Sequence, residues 1–109
     1  MAEKKPANYS FSWLRSNEKD REKLMAGLTK LTGNDYEAAE RAERLLGNNA
    51  PMLTLTKSFQ AQLAAMALDV PVPEIKNLPL RQYSAITNEV FTFLFGQSDE
   101  WELESAIGD

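Results

Sequence analysis

The chain has 109 residues, of which 43% are hydrophobic, and it carries a formal net charge of −4. This length and apolar content are sufficient for one domain with a modest core. Because the chain contains neither cysteine nor histidine, it lacks the side chains that form disulfides, most zinc sites and most nucleophile–base pairs. We therefore expect a protein that is not an enzyme and that holds no metal and no cofactor.

The distribution of charge argues against a nucleic-acid binder. Basic residues near the N-terminus alternate with acids, so they do not form the concentrated basic surface that phosphate contacts require. No stretch has the length and apolar character of a signal peptide or a membrane span. We expect a cytoplasmic protein that binds neither nucleic acid nor membrane.

Residues 1–16 are predicted to form an N-terminal arm that is partly flexible. Tyr9, Phe11 and Trp13 alternate with serines, a period of two that is typical of a β-strand. An isolated strand is not stable, and no second strand-like segment is available to pair with it. Three alternatives therefore remain: the arm packs in extended form on the helices, adds to the edge of a partner's sheet, or stays mobile until something binds.

The first helix is predicted over residues 17–32. Asn17 is the expected N-cap, because its side-chain oxygen can accept a hydrogen bond from the first turn. Gly27 is expected to weaken the helix and Gly33 to end it. The inner stripe of apolar residues is Leu24, Leu28 and Leu31.

A second helix is predicted to begin near Asn34 or Asp35 and to end at Gly47. Its charged face has two Glu/Arg pairs at a spacing of four residues, in the order that favours ion pairing. The pairs are Glu37 with Arg41 and Glu40 with Arg44. This face is either an ordinary solvated surface or a docking surface, and its pattern does not indicate catalysis. The residues expected on the apolar side are Tyr36, Ala39, Leu45 and Leu46.

A third helix follows a loop at residues 47–51, with Thr54 or Thr56 as its cap. It is predicted to lie in the core, because large apolar residues recur at helical spacing and several alanines allow a close neighbour. The recurring residues are Phe59, Leu63, Met66 and Ala67. Two prolines are expected to end the helix and to hold residues 70–73 extended, since a residue before proline disfavours the helical conformation.

The fourth helix, predicted over residues 79–95, is too apolar for a simple surface helix. It is expected to begin with Pro79 at its first position and to end at Gly96. One stripe is expected to complete the core, with partner contact as the alternative; it comprises Leu80, Tyr83, Ile86, Val90 and Leu94. Phe91 and Phe95 point away from that stripe and need a second covering surface, either from the fold or from a partner.

Residues 97–109 are predicted to form an acidic tail, with five acids and no basic residue. Trp101, Leu103 and Ile107 make the tail amphipathic, so it can dock on a basic surface or remain solvated. The domain organisation is thus an arm at 1–16, a single helical domain at 17–96 and the tail at 97–109. The predicted fold is all-α, a small bundle of about four helices with an extended aromatic arm and an acidic C-terminal tail.

The spacing of the fourth helix suits helix-in-groove recognition, in which apolar anchors recur every three or four residues. Trp101 is also a candidate, because leaving a tryptophan exposed in an acidic segment is unfavourable and docking would cover it. The candidate partner-binding residues are Tyr83, Ile86, Val90, Phe91, Leu94, Phe95 and Trp101.

The order of motifs in residues 59–96 supports a family assignment. A helix is followed by a short proline-containing turn, Glu-Ile, Leu-Pro-Leu-Arg-Gln-Tyr, and an apolar helix that closes in Phe-Leu-Phe-Gly. This order resembles the C-terminal half of tail assembly chaperones of long-tailed bacteriophages. The positions that carry the likeness are Ile75, Leu78, Leu80, Tyr83, Ile86, Val90, Phe93 and Leu94. Residues 17–47 are predicted to be helical, whereas some members of that family open with strand-forming segments.

The resemblance implies a binding protein without catalysis. Members of the family bind the long helical tape measure protein, keep it soluble and help the tail tube protein polymerise around it. They act in the host cytoplasm and are absent from the finished virion, and many are also made in a longer form by programmed translational frameshifting. The alternative is a small helical regulator or adaptor, antitoxin-like or inhibitory, whose apolar helix forms a homodimer.

Overall fold

The structure is a computed structural model that describes residues 11–96, and within that range it contains helices and no strand. The helices are α1 (Glu18–Lys30), α2 (Gly33–Leu45), α3 (Lys57–Leu68), α4 (Val72–Lys76) and α5 (Leu80–Phe91). A 3-10 turn, Leu53–Leu55, precedes α3, and a π-helical turn, Thr92–Gly96, follows α5. The prediction of a small all-α bundle is confirmed.

Helix α3 is the centre of the bundle, because α1, α2, α4 and α5 all pack against it. Its buried side chains include Phe59, Leu63 and Leu68, and its alanines allow the neighbouring helices to approach. Thr56 caps its N-terminus through a bond from the backbone N–H of Phe59, as one of the two predicted caps. The helix therefore contributes core on several sides instead of one stripe.

Helix α1 approaches α3 closely at Gly27. A Cβ atom built on this glycine lies only 2.0 Å from the backbone oxygen of Ala67. The glycine that weakens α1 as an isolated helix is thus what lets α1 contact the backbone of α3. Asn17 caps the start of α1, as predicted, by accepting bonds from the backbone N–H groups of Lys19 and Asp20.

The junction between α1 and α2 differs from the prediction. Helix α1 ends at Lys30, and Gly33 begins α2 instead of ending α1. Thr32 accepts from the backbone N–H of Asp35, while the Asp35 carboxylate accepts from the backbone N–H of Thr32. This reciprocal capping box satisfies two donors at the start of the helix, and it sets the boundary earlier than Asn34.

The end of α2 also differs from the prediction. The helix stops at Leu45, before Gly47, and Leu45 and Leu46 are 88% and 68% exposed. The prediction that these two leucines belong to the inner side is therefore wrong. Tyr36 packs against the core and Ala39 is buried, as expected. The inner face passes through Tyr36, Ala39 and Glu43, at helical spacing. Leu45, two residues after Glu43, falls on the opposite side, and Leu46 lies just beyond the end of the helix.

The proline-rich segment is not wholly extended, which corrects the expectation for residues 70–73. Pro71 is an extended N-cap, and α4 begins at Val72 with Pro73 in its first turn. Proline is tolerated in the first turn because the backbone N–H groups there have no intrahelical acceptor. Helix α4 buries Ile75 completely.

Helix α5 begins one residue later than predicted, with Pro79 as its N-cap. Leu80 is 80% exposed, so the prediction that it starts the inner stripe is wrong. Ile86 and Val90 are fully buried and do complete the core. After Phe91 the α-helical pattern changes to the π-helical turn that ends at Gly96.

The segment before α1 is anchored by Trp13, which is almost completely buried. Its indole N–H donates to the backbone oxygen of Asp20 at 3.0 Å, and its backbone N–H donates to Oε1 of Gln82 at 3.4 Å. Arg15 forms an ion pair with Glu89 at 3.2 Å. Residues 11–15 thus pack on the helices, the first of the three alternatives, while Tyr9 lies outside the described residues.

Candidate functional site

The structure separates the predicted partner-binding residues by exposure. Ile86 and Val90 are fully buried and offer no surface to a partner in this conformation. Tyr83 and Leu94 are partly buried and pack against the core, and burial together with the charge of Glu43 raises the pKa of the Tyr83 phenol. Trp101 lies outside the described residues. Phe91 and Phe95 remain as exposed candidates.

Phe91 and Phe95 form an aromatic ridge at the C-terminal end of α5. Their ring centroids are 5.1 Å apart with a tilt of 49°, within the range of favourable aromatic pairs. They are 39% and 48% exposed. The spacing of four residues places both rings on one side of the helix. The ridge is therefore an apolar surface that the described fold leaves partly open to solvent.

A second apolar feature, the C-terminal cleft, lies beside the same end of α5 and has a volume of about 250 Å³. Residues from α1, the α1–α2 junction, α2, α3 and the π-helical turn line it. They are Leu28, Leu31, Thr32, Gly33, Tyr36, Leu63, Phe93 and Leu94. Most of these side chains are apolar, so the cleft suits a hydrophobic group.

A third feature, the α2–α4 groove, was missed by the reasoning from sequence. Its volume is about 620 Å³, and its lining residues are Ala42, Leu45, Leu46, Gln62, Val72, Pro73, Lys76 and Asn77. The groove exists because α4 is helical and α2 ends early, which leaves both leucines at its rim. The sequence signal was the Leu-Leu pair directly before a Gly-Asn turn. A helix that stops there cannot bury both side chains.

The charged face of α2 does not form the ion pairs expected from its spacing. In the described part of the chain, Glu37 and Arg41 make no ion pair, and neither do Glu40 and Arg44. Nη1 of Arg44 instead donates to the backbone oxygens of Asn48 and Ala50, at 3.3 and 3.2 Å. Arg44 therefore holds the loop that follows α2.

Glu43 is a fully buried carboxylate that was also missed. Its Oε1 accepts from Nδ2 of Asn48 at 2.8 Å, and its Oε2 accepts from Oγ of Ser58 at 3.0 Å and Nε2 of Gln62 at 2.7 Å. Burial raises the pKa of Glu43, but these three bonds and the charge of Lys76 outweigh it and hold the pKa below its ordinary value. Glu43 follows Tyr36 by seven residues and Ala39 by four, a spacing that places all three on one face of α2 and could have predicted its burial.

The Glu43 network has the chemistry of a structural element. Lys76 donates from Nζ to Oγ of Ser58 at 2.8 Å, and that hydroxyl donates onward to Glu43. The hydroxyl is thus engaged both as a donor and as an acceptor, and it links Lys76 to Glu43. Among residues 11–96, no cluster of acidic side chains could hold a metal ion.

No protein-family model, curated protein or solved structure matches this chain. In residues 11–96, none of the helices has both the length and the apolar character needed to cross a membrane. What the fold and surface define is an all-α bundle with three apolar features: the aromatic ridge, the C-terminal cleft and the α2–α4 groove.

Proposed function

We propose that the protein is a tail assembly chaperone of a long-tailed bacteriophage. In this role it binds the helical tape measure protein in the host cytoplasm, keeps it soluble and assists the tail tube protein in polymerising around it. The assignment to this family comes from the resemblance of residues 59–96, and the described surface supports a binding protein of this kind.

The observation that carries the proposal is that, among the exposed large apolar side chains of this small domain, two pairs lie side by side. The aromatic ridge offers Phe91 and Phe95, and the rim of the α2–α4 groove offers Leu45 and Leu46. A helical client presents an apolar stripe, and its burial in a groove or against a helix supplies the main driving force of such recognition. The groove volume of about 620 Å³ is sufficient for several side chains of that stripe.

The proposal predicts that a neighbouring gene encodes a very long coiled-coil protein, the tape measure protein, and co-expression with that protein tests it. We expect the tape measure protein to be recovered in the soluble fraction only when this chain is present. Phe91→Asp with Phe95→Asp, or Leu45→Asp with Leu46→Asp, should abolish that effect. Glu37→Gln is the matched control, because it changes an exposed residue outside both surfaces. An insoluble tape measure protein in the presence of the folded wild-type chain contradicts the proposal.

The homodimeric regulator is the competing outcome of the same experiments. In that case sedimentation shows a tight dimer of the purified chain, which Phe91→Asp dissociates, and the tape measure protein gains no solubility. A monomer that solubilises the tape measure protein supports the chaperone.

A further inference from the structure

We propose that Trp101, in the acidic segment 97–109, docks into the C-terminal cleft of its own chain. The inference goes beyond the proposed function and does not depend on it, because it concerns which group covers this cleft.

The size of the cleft favours a single large side chain. Its volume of about 250 Å³ is below the ~300–1,000 Å³ typical of pockets for small-molecule ligands. An apolar cavity of ~150 Å³ can hold benzene, so the larger C-terminal cleft is suited to a bicyclic indole. Tyr36 and Phe93 add aromatic surface to its lining, against which an indole ring packs favourably.

The position of Trp101 in the chain places it within reach. Leu94 lines the cleft, and the described chain ends two residues later at Gly96. Trp101 is five residues beyond Gly96, a distance that an extended chain can span up to roughly 17 Å at ~3.3–3.6 Å per residue. No comparably large apolar residue lies between them. A short connection of this kind gives the tryptophan a high effective concentration at the cleft.

The charge beside the cleft complements the segment. Lys30, the last residue of α1, is exposed and directly precedes the lining residues Leu31 and Thr32. It forms no ion pair within the described part of the chain. The N-terminus of α2 is already capped by the Asp35 carboxylate, so Lys30 is the group that supplies positive charge here. Asp99, Glu100 and Glu102 flank Trp101, so docking of the indole brings negative charge towards Lys30.

Gly33 provides a way to fill the cleft without disturbing the fold. It lines the cleft, and a Cβ atom built on it meets no atom within 4 Å. Gly33→Leu should therefore be tolerated and should compete with Trp101 for the same space. Asn34→Leu is the matched control, because it adds an apolar side chain to the next, exposed position of the same helical turn, outside the cleft lining.

Fluorine NMR of the full chain labelled with 5-fluorotryptophan tests the proposal, with Trp101→Phe assigning the signals. We expect the Trp101 resonance of the wild-type chain to lie away from the position of a solvated tryptophan, and to move to that position in Gly33→Leu. It should not move in Asn34→Leu. Buried Trp13 is the internal standard for folding and should keep its resonance in both variants.

Two further measurements keep the test independent of the variants. Nuclear Overhauser contacts from the Trp101 ring to the methyl groups of Leu31 and Leu94 are expected in the wild-type chain. The Trp101 resonance should not change on dilution, whereas a concentration-dependent shift would place the indole in a second copy and overturn docking within the chain. A wild-type Trp101 resonance at the solvated position also overturns it, as does one that Gly33→Leu leaves unchanged.

Discussion

Helix α3 buries polar side chains, whereas the C-terminal end of α5 exposes aromatic ones, which is the reverse of what side-chain polarity predicts. Gln60 and Gln62 of α3 are buried, although both side chains are polar, whereas Phe91 and Phe95 at the end of α5 are exposed. The reason is position, since α3 is surrounded by other helices, whereas the described fold leaves one side of the end of α5 uncovered. Burial of a side chain thus depends on whether neighbouring helices cover its position: the glutamines of α3 are covered and hydrogen-bonded, whereas the two phenylalanine rings are left open.

Removal of a large core side chain should show the greatest contrast between the two regions. Phe59 is fully buried in α3 and contacts the ring of Tyr36, with centroids 5.0 Å apart. We expect Phe59→Ala to lower the free energy of unfolding by about 4 kcal/mol. Phe91→Ala is the control and should lower it by only about 1 kcal/mol, because the ring is partly exposed and mainly loses its contact with Phe95. Urea unfolding followed by circular dichroism measures both, and equal losses would contradict the comparison.

A methyl group added to Gly27 of α1 should disturb the packing of α1 against α3. Gly27→Ala forces a Cβ atom against the backbone oxygen of Ala67, so we expect a loss of about 2–3 kcal/mol in the free energy of unfolding. In an open helix the same change would stabilise by roughly 1 kcal/mol. Gly33→Ala is the control, because its Cβ meets no atom within 4 Å. Thermal unfolding of the two variants measures the difference. Destabilisation by Gly27→Ala indicates the close contact between α1 and α3, whereas stabilisation would show that Gly27 only lowers the helix propensity of α1.

The buried polar contacts of α3 can be tested at Glu43. Glu43→Gln replaces one of the two carboxylate oxygens by an NH2 group that cannot accept, so either Asn48 or the pair Ser58 and Gln62 loses its acceptor. Leaving a buried donor without an acceptor costs about 1–3 kcal/mol, and we expect a loss of about 2 kcal/mol in the free energy of unfolding. Glu37→Gln, on the exposed face of the same helix, should be nearly neutral. An unchanged midpoint of urea unfolding in Glu43→Gln would show that the network contributes nothing net.

The smallest expected effect is the acid dependence that Glu43 confers. Because its pKa is lower in the folded chain than its ordinary value of 4.5, the ionised carboxylate stabilises the fold above that value. This contribution is lost as the pH falls through the folded-state pKa. The difference in stability between wild type and Glu43→Gln should therefore shrink below about pH 4.5, as measured by urea unfolding across that range. A difference that grows with acidification would contradict the direction of the shift.

Predictions from the sequence were correct for residues whose role depends on their own helical turn or on a face that the core covers. Asn17 and Thr56 are N-caps, as expected, because a cap needs only its own first turn. Phe59, Leu63, Ile86 and Val90 are buried, as their spacing predicted. These residues define the bundle, and the fold class follows from them.

The predictions that failed concern residues near the ends of helices, where burial depends on whether a neighbouring helix extends that far. Leu45, Leu46 and Leu80 lie at helix termini, where spacing continues but no neighbouring helix covers the face. Periodicity alone therefore placed them in the core wrongly. Of the candidate site, the exposure of Phe91 and Phe95 agreed with their expected orientation. The α2–α4 groove could not be anticipated, because it requires α4 to be helical despite its prolines.

The Glu43 network also affects the alignment of α2 along α3. A slide of α2 along α3 by one helical turn, about 5.4 Å, would break the contact between the rings of Tyr36 and Phe59. It would also separate the Glu43 carboxylate from both Ser58 and Gln62, leaving a buried charge without its partners. The ring contact and the Glu43 network together therefore penalise neighbouring alignments of the two helices.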